Sequence, residues 1–188
     1  MVAVITALCI AKLTAADKIV ASARDQCTWG TRYDPAYFSI AYPGGDLPKT
    51  KGVCTDVVVR SLRSAGYDLQ VLVHEDMKRN WSAYPKLWGA TKPDKNIDHR
   101  RTPNQMTYFG RFGQKVTKAV TERTKNEWKP GDIVFWNLTP TIKHVGIVSD
   151  NRNASGWPYV IHNLSTTREE DVLTSWPIIG HYRFPKPR

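Results

Sequence analysis

From Pro130 onward the chain stops reading as helix and becomes short apolar runs cut by turns, and this switch constrains the fold more than any other feature. Ile133 to Trp136, Lys143 to Val148, Pro158 to Asn163 and Gly180 to Phe184 predict four strands, separated by Pro130-Gly131-Asp132, Thr139-Pro140-Thr141 and a polar turn over 151–156. Upstream, the apolar spacing predicts helices. Asp17 to Gln26 carries Ile19, Val20 and Ala23, Thr55 to Ala65 carries Val57, Val58 and Leu62 before Gly66, and Leu69 to Asn80 follows. Gln105 to Gly113 adds an aromatic face of Tyr108, Phe109 and Phe112. Helices followed by strands predict an α+β fold, N-terminal helices packed on a C-terminal antiparallel sheet.

The 188 residues fit one domain, expected over 16–188. Residues 1–15 are read either as a signal peptide or as an N-terminal extension of the first helix. Val2 to Ala11 is apolar but too short to cross a bilayer, and Leu13-Thr14-Ala15-Ala16 has the small residues of a cleavage site, without a basic segment ahead of it. The expected location is periplasmic or secreted, with no stable membrane insertion. A net charge of +10 points to anionic partners. The basic residues are scattered and match no nucleic-acid signature, so nucleic acid is not expected while anionic cell-envelope polymers fit. Cys9, Cys27 and Cys54 cannot all pair within one chain.

Two stretches read as irregular. Thr31 to Gly52 is rich in Tyr, Pro and Gly, and Lys92 to Asn104 is charged and short of apolar residues, which predicts a solvated arm. The helix after Cys54 contains Val57-Val58-Val59, a β-branched run that needs burial to stay helical. It is therefore expected to be the central helix.

Cys54 stands where a glycine-containing loop enters that helix. Unpaired amides and the helix dipole at such a start favour a thiolate, which makes Cys54 the candidate nucleophile, with a buried structural cysteine as the alternative. Asp56, in the first turn, opposes that ionisation. His144 and His162 fall on neighbouring predicted strands, so antiparallel pairing sets them side by side as base and orienting residue. Asn163 competes for the orienting role, but alternation along a strand turns it to the other face.

Gly52-Val53-Cys54-Thr55-Asp56, Gly131-Asp132-Ile133-Val134, His144-Val145-Gly146-Ile147-Val148 and Val160-Ile161-His162-Asn163 resemble the ordered motifs of NlpC-type, papain-like cell-wall peptidases. Tyr33-Asp34-Pro35-Ala36-Tyr37, Tyr42-Pro43-Gly44-Gly45-Asp46, His74-Glu75-Asp76-Met77, Ile97-Asp98-His99-Arg100-Arg101 and Gly180-His181-Tyr182-Arg183 resemble, more narrowly, the bacterial domain-of-unknown-function family 1287 from about Ala21 onward. The wider resemblance implies a papain-like fold and a Cys54-His144-His162 triad cleaving amide bonds of peptidoglycan stem peptides, as amidase or endopeptidase, with no metal or organic cofactor. It also implies that Tyr42 or Tyr33 lines the site. Thr55-Asp56 in place of the commoner Ser-Gly, the long insertion between Cys54 and His144, and the lengthened 151–156 turn depart from the pattern.

Asp56, Arg100, Arg101 and Asn163 complete the candidate substrate-binding set; paired arginines suit a substrate carboxylate, or else an internal ion-pair network. The expected partners are peptidoglycan or its stem peptides, with a protein inhibitor as a further candidate, and the expected state is a monomer. Two rival functions remain at this level. One is a non-catalytic glycan- or peptide-binding module of the same fold. The other is a metal site of Cys54, His144 and His162 with Asp56. His74-Glu75-Asp76 reads as a solvated helix face.

Overall fold

The structure, a computed structural model, describes residues 12–187. The run Val2–Ala11 and Cys9 lie outside the described residues. Thr14 caps α1 (Ala15–Asp25), accepting from the amide of Asp17 while its own amide donates to the Asp17 carboxylate at 2.8 Å. After two short parallel strands, β1 (Arg32–Tyr33) and β2 (Lys51–Gly52), come α2 (Cys54–Ser64) and α3 (Leu69–Arg79). Gly66, at a positive φ of 93°, follows the α2 C-cap, a conformation glycine adopts without Cβ strain. Next come α4 (Thr102–Phe112), β3 (Gln114–Lys115), β4 (Ile133–Asn137), β5 (Lys143–Arg152), β6 (Pro158–Asn163), β7 (Thr167–Glu170) and β8 (Ile178–Arg183).

The fold is α+β. Six strands form one antiparallel sheet in the order β3-β8-β4-β5-β6-β7. Strands β3 and β7 were not predicted. Both are short and polar, carrying Gln114-Lys115 and Thr167-Arg168-Glu169-Glu170, so no apolar alternation marks them. Among the described residues no helix is long and apolar enough to cross a membrane.

Alternation along the strands gives the sheet two packed faces. Ile133, Phe135, Val145, Ile147 and Ile161 face the helices, against Ile19 of α1, Val57, Val58 and Leu62 of α2, Val73 of α3 and Phe109 of α4. Val134, Trp136, Val148 and Val160 face the other way, under Trp128 and Leu173. The consecutive residues Cys54 to Leu62 of α2 are all buried, as its β-branched run requires. Each buried valine contributes about 1.5–3 kcal/mol, more than its helix-propensity deficit.

The solvated reading of Lys92 to Asn104 is corrected. Asp98, His99 and Arg100 form a buried 3-10 turn that precedes α4: Asp98 is held by its neighbours Asp94, Arg101 and Asn104, Arg100 by Asp56, Ala36 and Asp34 far along the chain, and His99 Nδ1 has no hydrogen-bond partner. The solvated-face reading of His74-Glu75-Asp76 is corrected at Asp76, which is buried and accepts from Arg111, Tyr84 and Asn80. Asp132 and His181 form an interior cluster. Asp132 takes a bidentate pair from Arg183 at 2.7 and 2.8 Å and lies 2.9 Å from His181 Nε2, while the His181 ring stacks on Trp128 at 3.8 Å.

Candidate active site

Cys54 is the first residue of α2, preceded by Val53 in an extended conformation. The helix start is held from inside. Val53 N–H donates to Asp56 Oδ2 at 2.7 Å, and Arg100 clamps the same carboxylate through Nε at 2.8 Å and Nη2 at 3.0 Å. Arg100 also donates to the carbonyls of Ala36 and Asp34, tying the aromatic loop to the helix. Both side chains of this pair are almost fully buried. Asp56 is therefore corrected from a substrate-binding residue to one half of an internal brace that sets where Cys54 sits, and Arg100, the other half, also lines the cleft onto which Cys54 opens.

Thr102 Oγ1 lies 3.9 Å from Cys54 Sγ, and the backbone N–H of Val145 on β5 is near enough to the sulfur to favour its ionised form. That amide is available because the register of β5 with β6 begins only at Ile147. Val145 is the residue after His144. The His144 ring itself stands on the sheet face turned from the helices, stacked on Trp136 at 5.8 Å between centroids and edge-on to Trp176 at 6.0 Å. Its Nε2 lies 2.8 Å from His162 Nδ1. With Nε2 engaged, Nδ1 is the ring nitrogen left for proton exchange. Among the described residues no hydrogen bond joins Cys54 Sγ directly to His144.

His162 is 1% exposed, and its far nitrogen, Nε2, lies 3.0 Å from Glu170 Oε2, a close approach at an angle too bent for a well-formed hydrogen bond. Gly146 makes the two histidines fit: a Cβ there would lie 3.2 Å from His162 Cβ and 2.6 Å from Val160 Cγ1.

Electrostatically the resting site is neutral. Burial pushes the Cys54 thiol up to about 11, and Asp56 adds to the rise, against the hydrogen bonds from Val145 and Thr102. Burial, with His162 beside it, pushes His144 down to about 3. His162 is also lowered by burial, with Glu170 opposing. Burial of Cys54, a residue 4% exposed, opposes the thiolate that the helix start favours.

Cys54 opens into a cleft of about 550 Å³ lined by Tyr33, Tyr37, Trp88, Arg101, Thr102 and Lys143, among others. Tyr33 and Arg101 are thus at the site. Tyr42 is not: its hydroxyl donates to Glu75 at 3.1 Å and its ring packs on His74, so its assignment to the site is corrected. Asn163 is corrected too. It is fully buried on the helix-facing side of β6, opposite in direction to His162, with neither amide atom hydrogen-bonded. Among the described residues Cys27 forms no disulfide. Among the described residues no group of three or more His, Cys, Asp and Glu side chains gathers at metal-binding spacing, and Asp56 is turned toward Arg100.

Sequence reasoning missed Trp88, Thr102, Ile142 and Glu170. Trp88 adopts a positive φ of 56°, uncommon for so large a side chain, and is 65% exposed beneath the Arg101 guanidinium, 4.8 Å from its ring. An exposed Trp in a turn before Gly89 was the available signal.

Comparison with known proteins adds a family. The family described as Domain of unknown function (DUF1287) matches residues 20–184. An Escherichia coli (strain K12) protein, named as the uncharacterized protein YijF, is 47% identical over 167 residues, covering 88% of this chain and 80% of that protein. No solved structure matches significantly. The chain belongs to the DUF1287 family.

Proposed function

We propose that this member of the DUF1287 family is a papain-like, NlpC-type cysteine hydrolase, periplasmic or secreted, that cleaves amide bonds of peptidoglycan stem peptides. One observation carries the reading: a cysteine at a helix start, at the floor of an open cleft, meets the strand next to a histidine whose other nitrogen lies 2.8 Å from a second histidine.

In this mechanism substrate binding brings a carbonyl against Cys54. His144 Nδ1 takes the thiol proton through one bridging water, since the ring makes no direct hydrogen bond to Sγ at rest, as the sulfur forms its bond to the carbonyl carbon. The amide of Cys54, at a helix position with no intrahelical acceptor, and the hydroxyl of Thr102 are placed to donate to the developing oxyanion. The C–N bond then breaks and the leaving amine takes its proton from His144. Water, deprotonated by the same nitrogen, attacks the thioester and returns the thiol. A neutral thiol–imidazole pair at rest makes His144 a general base, and no step draws on a preformed ion pair.

The cleft suits an extended peptide. Tyr33, Tyr37, Leu87, Trp88 and Ile142 form an exposed apolar rim, while Arg101 and Lys143 supply positive charge for the carboxylates of stem peptides. Incubation of purified peptidoglycan with wild type is expected to release stem-peptide fragments. Cys54→Ala is expected to release none, and His144→Ala to act about 10²–10⁴-fold more slowly. Release by Cys54→Ala at the wild-type rate overturns the proposal.

The raised thiol favours one second reading, a binding module of the same fold. Wild type that co-sediments with peptidoglycan and releases nothing identifies that module.

A further inference from the structure

The second strand of the β6–β7 hairpin carries two adjacent glutamates that do different things. Glu169 pairs with Arg24 of α1 and, opposite Ile161, belongs to the helix-facing side of the sheet. Glu170 is opposite Val160 on the other side, the side of His162, and its Oε2 lies 3.0 Å from His162 Nε2. The period of two therefore sends one carboxylate to brace a helix and the next to the histidine pair. A one-residue slip in register would exchange them.

Around the histidines the remaining contacts are aromatic. Trp136 and Trp176 flank His144 at 5.8 and 6.0 Å and His162 at 6.5 and 6.2 Å. Arg168 Nη1 is 4.0 Å from the other oxygen of Glu170. Among the described residues the Glu170 carboxylate is the one charged group at hydrogen-bonding distance from His162.

We propose that Glu170 is a positioning residue that selects the tautomer of both histidines. This rests on the hydrolase reading of the site. A carboxylate 3.0 Å away, even at an angle too bent for a well-formed hydrogen bond, attracts a proton and repels a lone pair, so it favours the proton of neutral His162 on Nε2. His162 Nδ1 is then a bare acceptor, and the 2.8 Å contact requires His144 to donate from Nε2. That leaves His144 Nδ1 with a free lone pair, the state in which it can take the proton of Cys54. Without the carboxylate, His162 can hold its proton on Nδ1 instead. His144 Nε2 must then accept, its proton moves to Nδ1, and the base is blocked. When His144 becomes an imidazolium during acylation, its Nε2–H still has the Nδ1 acceptor and the Glu170 charge stands behind the pair.

Glu170→Gln keeps the shape and removes the charge, and Glu170→Ala removes the acceptor. Both are compared with wild type and His144→Ala in three measurements. In ring-nitrogen NMR near pH 7, wild-type His162 is expected to carry its proton on Nε2, with the Nδ1–H form appearing in Glu170→Ala. In Cys54 alkylation by iodoacetamide, Glu170→Ala is expected to be slowed in the same direction as His144→Ala. In turnover, kcat is expected to fall about tenfold to a thousandfold, part of what a positioned base contributes, with KM within about twofold.

A wild-type His162 protonated on Nδ1, or a ring spectrum and alkylation rate unchanged in Glu170→Ala, overturns the proposal. The expected NMR and alkylation changes in a wild-type protein that releases nothing from peptidoglycan support the role of Glu170 and contradict the hydrolase reading, so the two fail separately.

Discussion

Replacing Arg100 by alanine tests whether the arginine braces the helix or grips substrate. The Arg100 side chain is 2% exposed, makes a bidentate pair with Asp56, whose side chain is 4% exposed, and donates to two loop carbonyls. Removing it leaves an unpaired buried carboxylate at the start of α2. The expected loss is about 3–5 kcal/mol. For a chain of this length each kcal/mol lowers Tm by about 2–4 °C, so the melting point should fall by roughly 6–20 °C. Circular-dichroism melts at pH 7 give the shift. Denaturant titrations of Asp56→Ala, Arg100→Ala and the double variant give the coupling, expected at about 0.5–3 kcal/mol, with the double variant less damaged than the singles sum to. Stability within about 1 kcal/mol of wild type in Arg100→Ala, combined with a raised KM, would refute the brace and restore a substrate contact.

Two further outcomes follow from buried groups in the same region. Burial, together with the charges of Arg100 and Arg63, pushes His99 down to about 4 from an unfolded value near 6.5. Folding therefore holds the neutral ring. Its stabilisation is complete above about pH 6.5 and is lost as pH falls toward 4, by up to about 3 kcal/mol. Urea midpoints at pH 7 and pH 4 should show a smaller acid loss in His99→Gln than in wild type; equal losses would show that His99 is not the sensor. Gly146→Ala places a methyl 2.6 Å from Val160 Cγ1 and 3.2 Å from His162 Cβ. It should cost about 1–3 kcal/mol, and it should shift the ring resonances of His162; an undisturbed melt and spectrum would contradict the packing described.

The helices and four of the sheet strands were legible because apolar periodicity marks them. α2 is a clear case: its valines signalled a helix that burial had to hold, and they lie in the core. The pairing of His144 with His162 was legible from alternation on neighbouring strands. Asp56 and Arg100 were not legible as a brace, because a charged residue facing inward looks like one facing water until its partner, distant in sequence, is placed. The same applies to Asp76, whose charged partner is Arg111. Glu170 was hidden because β7 is polar throughout, and a polar edge strand carries no periodic signal. Tyr42 drew attention through its Pro-Gly-rich surroundings, yet its hydroxyl is used by Glu75. The thiol's environment could not be read from its helix position, since burial, which opposes the thiolate, comes from residues distant in sequence.

In the proposed hydrolase Cys54 attacks a carbonyl carbon. Rapid quenching of wild type with purified stem peptides into acid, followed by intact-mass spectrometry and peptide mapping, tests it directly. The expected result is a transient thioester on Cys54 whose added mass equals the acyl half of the cleaved peptide, absent from Cys54→Ala and decaying as the second fragment appears. Cleavage of the peptides at the same rate in wild type and Cys54→Ala, with no adduct at any quench time, would contradict the account.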